Sequence, residues 1–258
     1  MTDHRHGTGP SFGFQLYSVR EVDDFLATVV ERVGAAGIDG VEFAGVTAGG
    51  VDGDDPADLR EALEAAGVAA AGAHVDLSAI EPDPEGVAAT CRAVGCDRVV
   101  VPWLDPDHFR SGEAVDAAAD RLSVAAAAMA EHGLDLHYHN HDQEFERIDG
   151  EYALDRLLAA ADGVRLELDL GWAGATGADP LALLSRHADR IDLVHLKGYD
   201  GAAGTTVPVG EGDLDLSAVA RAARDHGVDW VIYEAEGGAD TYDTLDAAAE
   251  VGAAYFGL

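Results

Sequence analysis

The chain has 258 residues, 49 acidic against 16 basic side chains, a net charge of −33 and 48% hydrophobic residues. A field of that sign and size opposes nucleic acid, anionic membranes and anionic ligands, so those classes of partner are set aside. Lysine occurs once, at Lys197, against 15 arginines, and the acid is spread along the chain, a surface suited to concentrated salt that reads as halophilic.

Residues 1–11, which include His4 and His6, read as a flexible N-terminal tail, and residues 12–258 as one domain. Eight short runs rich in Val, Ile, Leu or Phe then predict strands. They are FGFQLYSV (12–19), GVEFAG (40–45), VAAAGAHV (68–75), RVVVPWL (98–104), LDLHYHN (134–140), VRLELDLGW (164–172), IDLVHLKGY (191–199) and WVIYEAE (230–236). A stretch with helical periodicity follows each run. Asp55-Pro56, Asp83-Pro84 and Asp179-Pro180 supply N-caps with proline at the first helical position. Gly37, Gly67, Gly95, Gly133 and Gly227 mark helix ends shortly before the next strand. Eight βα units without a linker predict an α/β fold, a single-domain (β/α)8 TIM barrel; an open doubly wound sheet would want a glycine-rich turn after its first strand, where SVREVDD stands instead. Cys91 and Cys96 lack partners at metal-ligand spacing and read as small buried apolar residues. The chain shows neither a signal peptide nor an 18-residue apolar run, which predicts a soluble, cytoplasmic protein.

In such a barrel the chemistry sits at the strand ends and the loops after them. Polar residues collect there: Gln15, Glu42 and His74 on the first three strands, His137, His139 and His141 on the fifth, Asp169 on the sixth, His195 and Lys197 on the seventh, Glu234 and Glu236 on the eighth. Strand side chains alternate with period two, so Glu167 shares a face with Asp169, and Lys197 with His195. Repeated burial of carboxylates at one rim needs a compensating cation. The candidate ligands of one divalent ion (Mn²⁺, Mg²⁺, Co²⁺ or Zn²⁺) are Asp169, His195, Glu234 and one acid or imidazole from HYHNHDQEF (137–145), with Glu144 preferred. Trp103 and Trp172 are candidate walls of the pocket, and Trp230, at a strand start, reads as core.

The segments FQLYSVRE (14–21), GVEFAG (40–45), YHNHDQEF (138–145), LDLGW (168–172), VHLKGYD (194–200), VGEGDLD (209–215) and IYEAE (232–236) resemble the sugar phosphate isomerase/epimerase group of the xylose-isomerase-like TIM barrels. The resemblance runs from about residue 12 to the last helix. It implies a metal set on Glu144, Asp169, His195 and Glu234, a small-molecule sugar substrate, and a homo-oligomer as the habit of such barrels. Its implied chemistry is proton transfer beside a carbonyl through an enediolate, giving isomerisation or epimerisation of a sugar, keto-sugar or cyclitol. Glu144 and Glu234 would relay protons and Lys197 would steady an oxyanion, with Gln15, Glu42, His74, Trp103, His139, His141, Trp172 and Glu236 around the substrate. Dehydration of the inosose dehydratase type is the alternative, followed by a non-catalytic sugar-binding barrel; endonuclease IV-like repair is opposed by the charge. Glu211, Asp213 and Asp215 in the loop after the seventh strand argue for a substrate without phosphate.

Overall fold

Eight parallel strands close on themselves: β1 (Ser11–Gln15), β2 (Gly40–Phe43), β3 (Ala69–His74), β4 (Arg98–Val101), β5 (Asp135–His139), β6 (Val164–Asp169), β7 (Ile191–Leu196) and β8 (Trp230–Tyr233). Each pairs with its successor in the chain, and β8 returns to β1, in the computed structural model, which describes residues 9–258. His4 and His6 lie outside the described residues. β1 opens at Ser11, whose N–H donates to the Asp229 carbonyl at 2.8 Å, so the strand starts inside the stretch read as tail.

Every predicted strand is present, and most end sooner than the apolar pattern suggests. Leu16–Val19 turns into a 3₁₀ helix, and Leu170–Ala175 into an α-helix that Asp169 caps by accepting the Trp172 N–H at 2.7 Å. The Asp-Pro signals hold: Asp55, Asp83 and Asp179 cap helices Pro56–Ala66, Pro84–Val94 and Pro180–Arg186 with their side-chain oxygens. Left-handed Gly67 and Gly95 close the first two of these helices, at φ 70° and 79°. Cys91 and Cys96 are free and buried.

Two apolar layers hold the barrel. Outward-facing strand residues such as Phe12, Phe14 and Tyr138 pack in the main core with helix residues such as Val30, Leu122 and Leu154. Inside the barrel, Trp230, Ile232, Leu193, Val100 and Ala71 make a smaller plug. Trp230 therefore belongs to the interior near the strand starts, where Gly40 leaves it space; a Cβ there would lie 2.6 Å from the indole ring. Above this plug the interior turns polar, with Gln15, Glu42, His74, His139, Glu167, Asp169, His195 and Glu234 all buried. Two register shifts occur at this level. β3 carries an extra residue, Ala71, between the partners of Val41 and Glu42, and β7 an extra residue, Asp192, between the partners of Leu166 and Glu167. Short strand pairs that the sequence pattern did not reveal follow β2, β5 and β7: Val46–Thr47 with Gly50–Val51, Arg147–Ile148 with Glu151–Tyr152, and Gly198–Asp200 with Thr205–Val207.

Candidate active site

Four strand ends converge on one point. His139 ends β5, Asp169 ends β6, His195 lies one residue before the end of β7, and Glu234 follows β8. One donor atom from each lies within 4.8 Å of those of the other three. His195 Nδ1 is 3.0 Å from Glu234 Oε2, and His139 Nε2 is 4.0 Å from Asp169 Oδ2. The Asp169 oxygens divide their work: Oδ1 caps the following helix, while Oδ2 is buried without a hydrogen-bond partner. Asn140 fixes the Asp169 backbone, accepting from its N–H at 3.0 Å and donating to its carbonyl at 3.3 Å.

Lys197, just past β7, is 3% exposed, and its ammonium lies 2.9 Å from Glu234 Oε2, 2.9 Å from Glu236 Oε1 and 3.5 Å from Asp169 Oδ2. The lone lysine thus serves the acid cluster, not the surface. Gly171 allows its approach, since a Cβ there would lie 2.7 Å from Lys197 Cβ. Trp172 stands beside it, with its ring centroid 5.3 Å from the ammonium and 5.5 Å from the His141 ring. Trp103, the other expected wall, is 47% exposed beyond β4. Gln15, Glu42 and His74 lie in the barrel, below the quartet. Gln15 Nε2 donates to Glu42 Oε2 at 2.7 Å, and His74 Nε2 lies 3.2 Å from Glu167 Oε2.

Glu144, expected as the first ligand, is not brought to the quartet. Its carboxylate accepts from the Tyr138 hydroxyl and, at 2.8 Å, from the His141 N–H. Tyr138 points the opposite way from His139 along β5, so these bonds hold Glu144 away from the barrel axis. His139 stands where that ligand was expected. His137, of the same parity, is drawn instead to Asp192 Oδ1 at 2.7 Å. His141 falls past the end of β5 and reaches the site edge-on to His139, with ring centroids 5.0 Å apart.

Burial lowers the pKa of His139 well below the ordinary histidine range, helped by the neighbouring His195, and pulls His141 down to about 4, so both rings are neutral donors. For Glu234, burial alone would raise the carboxyl, but Lys197 and then His195 outweigh it and hold it well below the usual range. Burial raises Asp169 despite the Lys197 charge. Lys197 itself would be lowered by burial, yet Asp169, Glu234 and Glu236 overcome this and keep it an ammonium. Burial works likewise against a charged His195, but Glu167 and Glu42 raise it, so a cation binding its Nδ1 has to displace a proton. The quartet fits a divalent ion: two imidazole nitrogens and two carboxylates meet around a buried Asp169 Oδ2 that has no hydrogen bond and only the Lys197 ammonium at 3.5 Å beside it.

The sequence pattern of the xylose isomerase-like TIM barrel family matches residues 30–255. This chain belongs to that family. Its curated relatives include the rhizopine catabolism protein MocC of Rhizobium meliloti, 35% identical over 125 residues, covering 46% of this chain and 37% of that one. An inosose dehydratase of Lacticaseibacillus casei is 29% identical over 153 residues, covering 51% of this chain and 50% of the dehydratase. The matches thus span about half of these relatives or less. Among solved structures, a sugar phosphate isomerase/epimerase from Parabacteroides distasonis superposes with a TM-score of 0.80 at 17% identity, over 97% of this chain and 95% of that one. The 3-keto-D-glucoside 4-epimerase of E. coli gives 0.71 at 16% identity, over 96% and 100%. At such identities the likeness is one of fold. Among the described residues of this xylose isomerase-like barrel, no helix is long and apolar enough to cross a membrane.

Glu144 carries a prediction for stability. Burial raises its carboxyl from the ordinary 4.5 to about 7, against the Tyr138 and His141 hydrogen bonds. The folded state then keeps a proton that the unfolded chain releases, so this group's contribution is full below about 4.5 and is lost as pH rises through about 7. Glu144→Gln has no such proton to lose. At about pH 8 it is expected to be more stable than the parent by roughly 1–3 kcal/mol, and the gap is expected to close near pH 5, as read by thermal unfolding in fixed salt. A gap independent of pH would contradict this assignment.

Proposed function

We propose that this barrel is a divalent-metal-dependent enzyme that moves a proton at the carbon beside the carbonyl of a sugar, keto-sugar or cyclitol, as an isomerase or epimerase. The supporting observation is the buried quartet His139, Asp169, His195 and Glu234, with Lys197 ion-paired to two of its members. These four residues would hold the ion. When bound, it would polarise a carbonyl and acidify the neighbouring C–H. Glu234, kept ionised and at the mouth of the cluster, is the group that takes the proton. Lys197 remains protonated and lies within reach of the same space, so it stabilises negative charge developing on oxygen. Trp172 shields one side and offers a ring face to sugar C–H groups.

A neutral substrate fits better than a phosphorylated one. Glu211, Asp213 and Asp215 are exposed in the loop after β7, and Lys197 is already committed to three carboxylates. At the rim, Arg20 is spent on the carbonyls of Tyr17 and Glu236.

A second outcome, dehydration, is favoured by a specific observation. With Glu144 bonded to Tyr138, Glu234 is the one glutamate in the quartet, and the other carboxylate there, Asp169, is tied by Oδ1 to the helix cap, which leaves fewer groups to return a proton to the opposite face of the carbon. Proton removal by Glu234 followed by loss of the β-hydroxyl needs one base and one acid, and the curated relatives include inosose dehydratases. The test is incubation of metal-replete protein in D₂O with ketoses, inososes and keto-glycosides, followed by NMR. Deuterium entering a carbon next to the carbonyl supports proton transfer; an enone or dione appearing with loss of water selects dehydration. No exchange and no product from any of these compounds would overturn the reading.

A further inference from the structure

Below the quartet lies a second tier of groups: Gln15, Glu42 and Glu167, which are fully buried, and His74, which is 8% exposed. Both ring histidines of the quartet span the two tiers. His139 turns Nε2 to Asp169 and Nδ1 to Glu167, whose Oε2 is 3.1 Å away. His195 turns Nδ1 to Glu234 and Nε2 to Glu42, whose Oε2 is 2.6 Å away. We propose that Glu167 and Glu42 are positioning residues that fix which nitrogen of His139 and of His195 is offered to the metal. This inference rests on the reading of the quartet as a metal site.

The physical argument begins with the rings. A neutral imidazole carries one N–H and one lone pair, and a carboxylate can only accept. Glu167 therefore holds the His139 proton on Nδ1 and leaves the lone pair on Nε2, facing Asp169. His195 stands between two carboxylates and offers a proton to each; Glu42, at 2.6 Å against 3.0 Å for Glu234, holds the one on Nε2, so Nδ1 is the nitrogen that would give up its proton to a cation. A carboxylate behind a ligating imidazole also raises its basicity and stops the ring from turning over.

The backbone is shaped for the two glutamates. Each is the first residue after a register shift between neighbouring strands, at Val41/Glu42 and at Leu166/Glu167. Such an irregularity re-aims a side chain next to a site. Gly72, opposite Glu42, leaves the volume that the Glu42 carboxylate fills, since a Cβ on residue 72 would collide with Oε1. Gln15 then fixes Glu42 from the far side through its 2.7 Å hydrogen bond, while its own Oε1 accepts the Tyr17 N–H. His74 sits between the two carboxylates, 3.3 Å from Glu42 Oε2 and 3.2 Å from Glu167 Oε2.

His74, His139, Glu167 and His195 also bring donor atoms within 4.8 Å of one another. A deeper ion there would need the very nitrogens that the glutamates hold as N–H groups. The upper quartet brings two carboxylates to balance a divalent charge, whereas the deeper set brings only Glu167. One ion per chain, above the glutamates, is the arrangement that satisfies both rings.

The test needs no substrate. Mn²⁺ and Zn²⁺ affinity is measured by calorimetry on the parent, Glu167→Met, His139→Ala and the double variant, with unfolding curves to check each fold. Glu167→Met keeps the volume and removes the acceptor; it is expected to lower affinity about 10–100-fold. In the His139→Ala background the same change is expected to cost clearly less, because the larger part of the effect runs through His139 and only the remainder through His195, whose Nε2 lies 3.3 Å from Glu167 Oε2. In parallel, the ¹⁵N signals of His139 in the metal-free parent report its tautomer whether or not a variant folds, and whether or not the sugar reading survives. A proton on Nδ1 supports the proposal. A proton on Nε2, an affinity loss of equal size in both backgrounds, an unchanged affinity in Glu167→Met, or two ions per parent chain would each overturn it.

Discussion

Glu234→Gln, assayed at saturating Mn²⁺ on whichever compound exchanges deuterium, is expected to lose about 10³-fold in turnover. The substitution keeps length and shape and removes the ability to take a proton. Burial of a lone carboxylate would push it towards the neutral acid, but Lys197 at 2.9 Å and His195 at 3.0 Å reverse that and leave a permanent anion beside the mouth. Such a group needs no prior deprotonation, although the same neighbours that keep it ionised weaken it as a base. Saturating metal separates the two duties of the residue, since a defect in metal affinity alone would be rescued. Turnover within tenfold of the parent under those conditions would take the base away from Glu234 and hand it to another group.

Lys197→Met is expected to cut turnover about 10²–10³-fold while leaving metal content intact, the size typical of removing one fixed donor from a developing oxyanion. Methionine retains the aliphatic stem that packs on Gly171 and Trp172. Its loss of charge frees Glu234, Glu236 and Asp169 from an ammonium that competes with any bound cation, so metal affinity should hold or rise. The contrary reading is that the lysine only neutralises acid. It predicts unchanged turnover in Lys197→Met, with Glu236→Gln partly restoring any lost stability.

Much of this was legible in the chain itself. Apolar runs eight times repeated, three Asp-Pro helix starts and glycine helix ends specify a barrel because each is a local signal with a local cause. The polar strand ends could be read too, since burying Asp169, His195 and Glu234 on successive strands makes sense only with a cation nearby. Three features were not legible. HYHNHDQEF offers three histidines of one parity and a glutamate; the bond of His137 to Asp192 and the end of β5 at His139 decide which of them reaches the quartet, and both are set by folded neighbours. The contact that retires Glu144, with Tyr138, depends on the outer face of β5 and a loop folding back on it. The roles of Glu42 and Glu167 depend on register shifts between one strand and its successor, set by how the two pair, and no pattern within either strand announces them.

The decisive measurement is metal content by elemental mass spectrometry on the parent and on Asp169→Ala, both purified in concentrated salt without a metal-affinity tag. About one divalent ion per chain in the parent, lost in a folded Asp169→Ala, is the predicted result. A folded parent that carries no ion and takes up none of Mn²⁺, Co²⁺ or Zn²⁺ would contradict it, and would make the buried quartet a charge network neutralised by Lys197 alone.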